Sequence, residues 1–527
     1  MKKEHNPQRG IHRRDLIKGL TAASLGLASG AIGIPYSLGQ AGVSSSSRRN
    51  LIQIENAKPG TRDWQLAKTR QTPGKINPNL ANGRCPWIEG YCSANSIRAG
   101  ETLKVMVSTN PATSFKLEIF RTGYYNGDGG RLMRTFDDLE GIAQPEPSVG
   151  ENFVHECQWE PSVEFEIPED WLSGVYLGKL TEATSGIQSY VIFIVRDDRP
   201  CDLLFQCSEL TWSAYNRWPA DFSIYTKHEG ASTSGSVSFD RPYGLFTHPV
   251  NSLKASGGSG EFLPWEFPLS YWLEQHGYDV SYISNIDTHA DPAGLLRTKG
   301  FISVGHDEYW SSEMYDNVLK ARDAGVSLAF MGANAVLFVV PMLPSADGRP
   351  NRIIRRAGAF FGSPAEAAEN APAWGKSGSM GVRGPAGNQL MGAQTTGGVR
   401  GAGDWTCAMP EHWLFEGTGM KKGDSVEGLV GWEWHGAPAM NLPGMNVVAE
   451  GDAFVNGENM GRYTATIYDG PKGNIVFNSA TIWWANGVSS PPGHKNPSRH
   501  GVTQQGVDPR VQQITHNLFQ RFINSKS

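Results

Sequence analysis

Two patterns of apolar and polar positions divide the chain. From about residue 85 to 195, the segments ETLKVMVST, SFKLEIFRTGYY, VEFEIP, GVYLGKLT and SYVIFIVRD alternate or are rich in β-branched residues, with turn residues such as NGDGG between them. A period of two turns one face of each strand toward a core, so a succession of such strands predicts an antiparallel sandwich. After Arg199 the texture changes to short, continuous apolar runs: CDLLFQCS, YDVSYISN, FISVGH and VSLAFMGAN. Helical stretches separate the last three. One of them, SSEMYDNVLKARDAG, opens with Ser and Glu, repeats apolar residues at Met314, Val318 and Ala321, and closes at Gly325. Alternation of strand and helix predicts a mainly parallel, helix-covered sheet. Between about 355 and 430 the chain is Gly- and Ala-rich without clear periodicity, which predicts a long insertion over the sheet rather than a further domain. Strand-like NIVFNSATIWWANG then precedes a final helix. Asp508 caps that helix, Pro509 takes its first turn, and Val511, Ile514, Leu518 and Phe522 form its apolar stripe.

Composition bounds what this architecture can do. A chain of 527 residues, 39% of them hydrophobic, exceeds one ordinary core, so two or three domains are expected. Its 62 glycines and 16 tryptophans suit a loop-rich protein with aromatic-lined clefts better than a helical bundle. The formal charge of -5 hides an asymmetry, because residues 1–41 hold six Lys/Arg against two Asp/Glu. The remainder is therefore more acidic than the total suggests, which argues against a nucleic-acid partner.

The basic N-terminus explains the asymmetry. HRRDLIKGLTAASLGLASGAIGI pairs Arg13 with Arg14 ahead of a weakly apolar, Ala/Gly-rich stretch. Residues 1–41 read as a twin-arginine export signal, leading to the periplasm or the medium, with 42–84 as an N-terminal extension. No other stretch is long and apolar enough to span a bilayer, so no stable membrane anchor is expected once the signal is removed. Six cysteines (Cys85, Cys92, Cys157, Cys201, Cys207, Cys407) in an exported chain permit disulfides without fixing partners. None sits in a CxxC spacing, and no GxSxG elbow appears.

The candidate chemistry lies in GHDEYW, residues 305–310, where His306, Asp307 and Glu308 follow the apolar run FISV. Acid–base work, metal binding and a solvated loop all place titratable groups at such a position. In an open parallel sheet, ligands bind outside the carboxyl ends of the strands. GHDEYW follows one such strand and the GAN of MGANAVLF follows another one helix later, so His306, Glu308 and Asn334 are expected to converge on one cleft.

Five motifs together resemble a known family: SGVY at 173–176, TWSAYNRW at 211–218, the GHDEYWS loop, the turn at 332–334 and GWEWHG at 431–436. They are similar to the large subunit of N,N-dimethylformamidase and its relatives, over about residues 85–500. The resemblance implies a mononuclear iron(III) held by two tyrosines and one glutamate, acting on a formamide. On this sequence it implies Tyr176, Tyr215 and Glu308 as metal ligands, with His306, Asn334 and Glu433 as catalytic groups. Phenolate and carboxylate are hard, anionic oxygen donors that suit a trivalent ion. Pattern and resemblance together give an immunoglobulin-like β-sandwich over 85–198. A flavodoxin-like (glutamine-amidotransferase-like), mainly parallel α/β domain follows over 199–527, with its insertion at about 355–430. The expected function is that of an exported, metal-dependent amidohydrolase acting on a small amide, with room for a homo-oligomer or a small second subunit. The rival from another class is a non-catalytic cell-surface or glycan-binding module.

Overall fold

In the computed structural model, the described residues are 50–70, 84–220, 222–225, 235–244, 257–356, 359–361, 381–382, 386–395 and 401–524. The export signal expected at 1–41 and much of the Gly/Ala-rich insertion lie outside them. The described chain is a mixed α/β structure of many sheets and few helices, and it forms one compact unit from residue 49 onward.

The alternating segments become two small sheets. One has five strands in the order Ser96–Arg98, Gln188–Arg196, Gly174–Glu182, Phe115–Thr122, Gly130–Leu139; the other has three, Glu89–Cys92, Thr102–Ser108, Val163–Glu166. All pairings are antiparallel except the edge pair of Ser96–Arg98 with Gln188–Arg196, which is parallel. The inward positions of both sheets, including Leu103, Val105, Leu117, Ile119, Phe165 and Phe193, bury one shared core. This is what a period of two requires of half-buried strands.

The continuous apolar runs become the centre of a seven-stranded sheet, because strands covered on both faces carry no polar side. Its order is Val280–Ser284, Cys201–Cys207, Thr298–His306, Ser327–Ala333, Ile475–Asn478, Glu458–Asp469, Asn446–Val455. The first five strands run parallel, and the last two close the sheet as an antiparallel hairpin. The helix Ser312–Ala324 carries the chain between two central strands. Ser311 accepts the Met314 N–H at its start, and Gly325, at φ 112°, ends it. The final helix, Pro509–Asn524, buries Val511, Ile514, Leu518 and Phe522 as its stripe predicts. NIVFNSATIWWANG is only in part a strand. Ile475–Asn478 pairs in the sheet, Ala480 then turns with φ 62°, and Trp484–Val488 is helical.

The extension at 50–70 is packed rather than loose. Its helix Leu51–Asn56 rests near the end of the helix Phe267–Gln275, where Asn50 Nδ2 donates to Gly277 O at 2.8 Å. All six cysteines are buried and unbridged. Among the described residues no helix is long and apolar enough to cross a membrane.

Candidate active site

The parallel strands present their carboxyl ends at one edge of the sheet, and the register decides which side chains meet there. Gly305 pairs with Gly332 and His306 with Ala333, so Glu308 and Asn334 leave adjacent strands almost together. Glycine is required at both paired positions. A Cβ on Gly332 would stand 2.3 Å from Gly305 O, and one on Gly305 would stand 2.7 Å from Trp265 Cβ. Gly305 also holds φ at +66°, which favours a residue without a side chain.

Glu308 is the hub. Its Oε1 accepts Asn334 Nδ2 at 2.9 Å, and its Oε2 accepts the Tyr215 hydroxyl at 2.6 Å. His306 Nε2 lies 3.4 Å from Glu308 Oε2 and 3.2 Å from Glu433 Oε2. On the other side of the imidazole, Nδ1 meets Glu261 Oε2 at 2.9 Å. Thr211 Oγ1 fixes the loop backbone by accepting the N–H groups of Glu308, at 3.0 Å, and Tyr309, at 3.3 Å. Asn334, at φ 55°, is held by Thr395, whose hydroxyl donates to its Oδ1 at 2.8 Å. His435 Nε2 accepts the next N–H, that of Ala335, at 3.2 Å. Burial pushes His435 down to about 4 against its bond to Asn478, so it is neutral and able to accept.

A chain of phenols extends from this hub. Tyr215 and Tyr225 hydroxyls are 3.0 Å apart, and the Tyr309 hydroxyl donates in turn to Tyr225. Burial, reinforced by the Glu308 carboxylate, holds Tyr215 well above the ordinary phenol range. Burial also disfavours charge on His306, but the carboxylates of Glu433, Glu261 and Glu308 outweigh it and hold the imidazole well above its usual range. Glu433 is pushed up by burial against the pull of His306, and its Oε1 accepts the Trp432 indole N–H at 3.1 Å.

His306, Glu308, Asn334, Glu433 and Tyr215 therefore come together as the sequence reading expects. Tyr176 does not join them. Its ring stacks 5.0 Å from Trp171 and 5.4 Å from Phe193 within the sandwich core, and its hydroxyl donates to Leu172 O at 2.7 Å. The second phenol beside Glu308 and Tyr215 is Tyr225. Asp307 is no solvated loop carboxylate either. It is fully buried and accepts Ser303 Oγ at 2.8 Å, Gln206 Nε2 at 2.7 Å and Asn285 Nδ2 at 3.2 Å. Sequence reading missed Tyr225, Tyr309, Glu261, Thr395 and His435. Tyr309 and His435 stand inside GHDEYW and GWEWHG, so the motifs themselves contained the signal.

Three buried carboxylates and three phenols around one imidazole concentrate oxygen donors that ordinary packing leaves expensive. Among the described residues no group of three or more His, Cys, Asp or Glu is arranged to hold a metal ion. A donor set that fits the surroundings of Glu308 is instead carboxylate with phenols, which suits a hard trivalent ion.

A family model described as N,N-dimethylformamidase beta subunit-like, C-terminal, matches residues 116–498. The N,N-dimethylformamidase beta subunit of Alcaligenes sp is 24% identical over 231 residues, covering 37% of this chain and 29% of that protein. The match thus spans under a third of the curated relative's length. Among solved structures, a family 123 glycoside hydrolase from Clostridium perfringens aligns with 46% of this chain and 59% of its own at 10% identity. Its TM-score of 0.10 establishes no shared fold.

Proposed function

Since the chain belongs to the N,N-dimethylformamidase beta subunit-like family, we propose that it is an amidohydrolase acting on a formamide or another small amide. Its site would use an iron(III) held by Glu308, Tyr215 and Tyr225. The observation that carries this reading is the contact of the Tyr215 hydroxyl with Glu308 Oε2 at 2.6 Å, with Tyr225 a further 3.0 Å away. Bound there, the ion supplies Lewis acidity to a carbonyl oxygen and to water.

The remaining steps fall to side chains. Asn334, its own carbonyl occupied by Thr395, orients Glu308 through Nδ2. Glu261 accepts Nδ1–H of His306 and so directs Nε2 toward Glu308 and Glu433. Glu433 and His306, 3.2 Å apart, form a proton-sharing pair. The carboxylate takes a proton from the attacking water, and the imidazolium returns one to the departing amine nitrogen. The indole of Trp432 anchors the other oxygen of Glu433.

Elemental analysis and amine release from N,N-dimethylformamide test the reading. Iron at one per chain with turnover, both lost in Glu308→Ala while the fold is kept, supports it; iron and turnover undiminished in that variant overturn it. A glycan-binding module is not favoured, because the convergent groups are buried acids and bases rather than exposed rings.

The architecture and cellular setting belong to the same proposal. The paired sheets over 89–196 read as an immunoglobulin-like sandwich, and the mainly parallel sheet as a flavodoxin-like domain. The relative's description as a beta subunit supports a second subunit. Arg13 and Arg14 support export to the periplasm or the medium. Arg13→Lys with Arg14→Lys is expected to leave the precursor in the cytoplasm, and unchanged recovery outside it overturns the export reading.

A further inference from the structure

Tyr215 ends the helix Glu209–Tyr215, whereas Tyr225 stands ten residues on in irregular chain, yet their hydroxyls lie 3.0 Å apart. Something must fold the connection back on itself. Backbone bonding contributes two links, Ile224 N–H to Ala214 O at 3.0 Å and Phe222 N–H to Arg217 O at 3.3 Å. Four further bonds converge on one side chain from a different segment. Arg241 is 2% exposed, and its Nη1 donates to Trp218 O at 2.7 Å and Phe222 O at 2.8 Å. Its Nη2 donates to Ser213 O at 3.2 Å and Asn216 O at 3.0 Å.

These four carbonyls come from the last turn of the helix and from the loop after it. A helix end leaves its carbonyls without intrahelical partners, and a cation there satisfies them. Among the described residues Arg241 has no carboxylate partner, and both of its Nη atoms bond to backbone carbonyls. Burial draws it down to about 10, which still leaves it cationic at neutral pH. Asn216 reinforces the knot: its Oδ1 accepts Trp218 N–H at 3.2 Å and Gly244 N–H at 3.0 Å, and its Nδ2 donates to Pro242 O at 2.9 Å.

We propose that Arg241 is a positioning residue for the phenol pair: its planar fork, bonded to four carbonyls of residues 213–222, sets the separation at which Tyr215 and Tyr225 face Glu308. Arg241 touches neither the phenols nor the carboxylate by hydrogen bond, so it acts through the backbone. A lysine carries the charge but not the rigid fork, and it cannot reach both carbonyl pairs in this geometry. The proposal rests on the phenol and carboxylate site described above, and its test separates the two ideas.

The first measurement needs no metal. In metal-free protein, amide hydrogen exchange of residues 213–225 is expected to quicken about tenfold in Arg241→Lys and Arg241→Ala, with exchange elsewhere unchanged. A merely structural loss would speed exchange throughout. The second measurement uses iron(III): phenolate bound to iron gives a visible charge-transfer band, and both variants are expected to bind iron about tenfold more weakly with a weakened, shifted band. The third is rescue. Guanidinium ion added to Arg241→Ala should slow exchange at 213–225 and restore the band, whereas methylammonium should not. Wild-type exchange at 213–225 in both variants, or global acceleration that guanidinium leaves unchanged, overturns the role of Arg241. A wild-type protein that takes up no iron sinks the iron reading alone, and the exchange and rescue results still decide the role of Arg241.

Discussion

Two of the buried ionic clusters among the described residues are built on opposite rules. At the contact between the small sheets and the large one, Arg121 grips Glu274 with both Nη atoms at 2.8 and 3.0 Å. Tyr282 and Asn56 complete the shell of Glu274 at 2.9 and 2.7 Å. Glu55 beside it receives Arg131 and Lys58, each at 2.7 Å, and the Tyr125 hydroxyl at 2.9 Å. Although burial opposes it, these cations hold Glu55 below the ordinary carboxylate range. Every anion there has a cation of its own. At the strand ends, among the described residues, the carboxylates of Glu261, Glu308 and Glu433 all meet the imidazole of His306, and Arg356 lies 4.8 Å over the Tyr225 ring. The first cluster is a structural rivet; the second, rich in carboxylates, is a place where a further cation is electrostatically welcome.

That contrast orders the expected effects of substitution on metal-free stability. Glu274→Ala strands the Arg121 guanidinium in the interior and should cost about 3–5 kcal/mol by urea denaturation, the largest loss. Its iron uptake should stay at the wild-type level if folded protein is recovered. Asp307→Asn turns a buried acceptor of three hydrogen bonds into a group that must donate to some of the same partners. It should cost about 1–3 kcal/mol while leaving iron uptake intact. Tyr176→Phe should cost about 1 kcal/mol for its bond to Leu172 O and leave the visible band untouched, whereas Tyr225→Phe, similarly mild for stability, should abolish or strongly shift the band. Glu308→Gln should change metal-free stability by less than about 1 kcal/mol, because it relieves repulsion from Glu433 and Glu261 and retains an acceptor oxygen. It should nevertheless reduce iron to background by elemental analysis. The stability ranking and the metal ranking thus run in opposite directions. A Glu308→Gln loss as large as that of Glu274→Ala would make both clusters structural and erase the distinction.

Much of this is legible in the sequence itself. The run FISV fixed where a central strand stops, so His306 and Glu308 had to emerge at its carboxyl end, and the helix with its Ser311 cap and Gly325 terminus brought Asn334 to the neighbouring strand. Those inferences rest on period and topology, which are local. Tyr176 was misplaced because alternation tells that a strand residue faces one side or the other, not what covers that side. Its side is the aromatic core of the sandwich, between Trp171 and Phe193. Tyr225 and Glu261 escaped notice because they stand in segments with no periodicity, brought in by long-range contacts such as those of Arg241 and the close approach at Gly305. Thr395 came from the Gly-rich stretch, where composition argues only for a loop.

The donors around Glu308 are gathered from far along the chain: Tyr215 is 93 residues before it, and Asn334 is pinned by Thr395 another 61 residues on. His435 steadies the same turn across 100 residues, itself held by Asn478. Loop-closure entropy makes such contacts late events in folding. On the iron reading, capture of the ion by the complete site is then expected to follow the docking of the strand Ile475–Asn478, whose Asn478 holds His435. Metallation in this protein would then report completed folding, and an apo pool would mark either scarce metal or chains whose last third never closed.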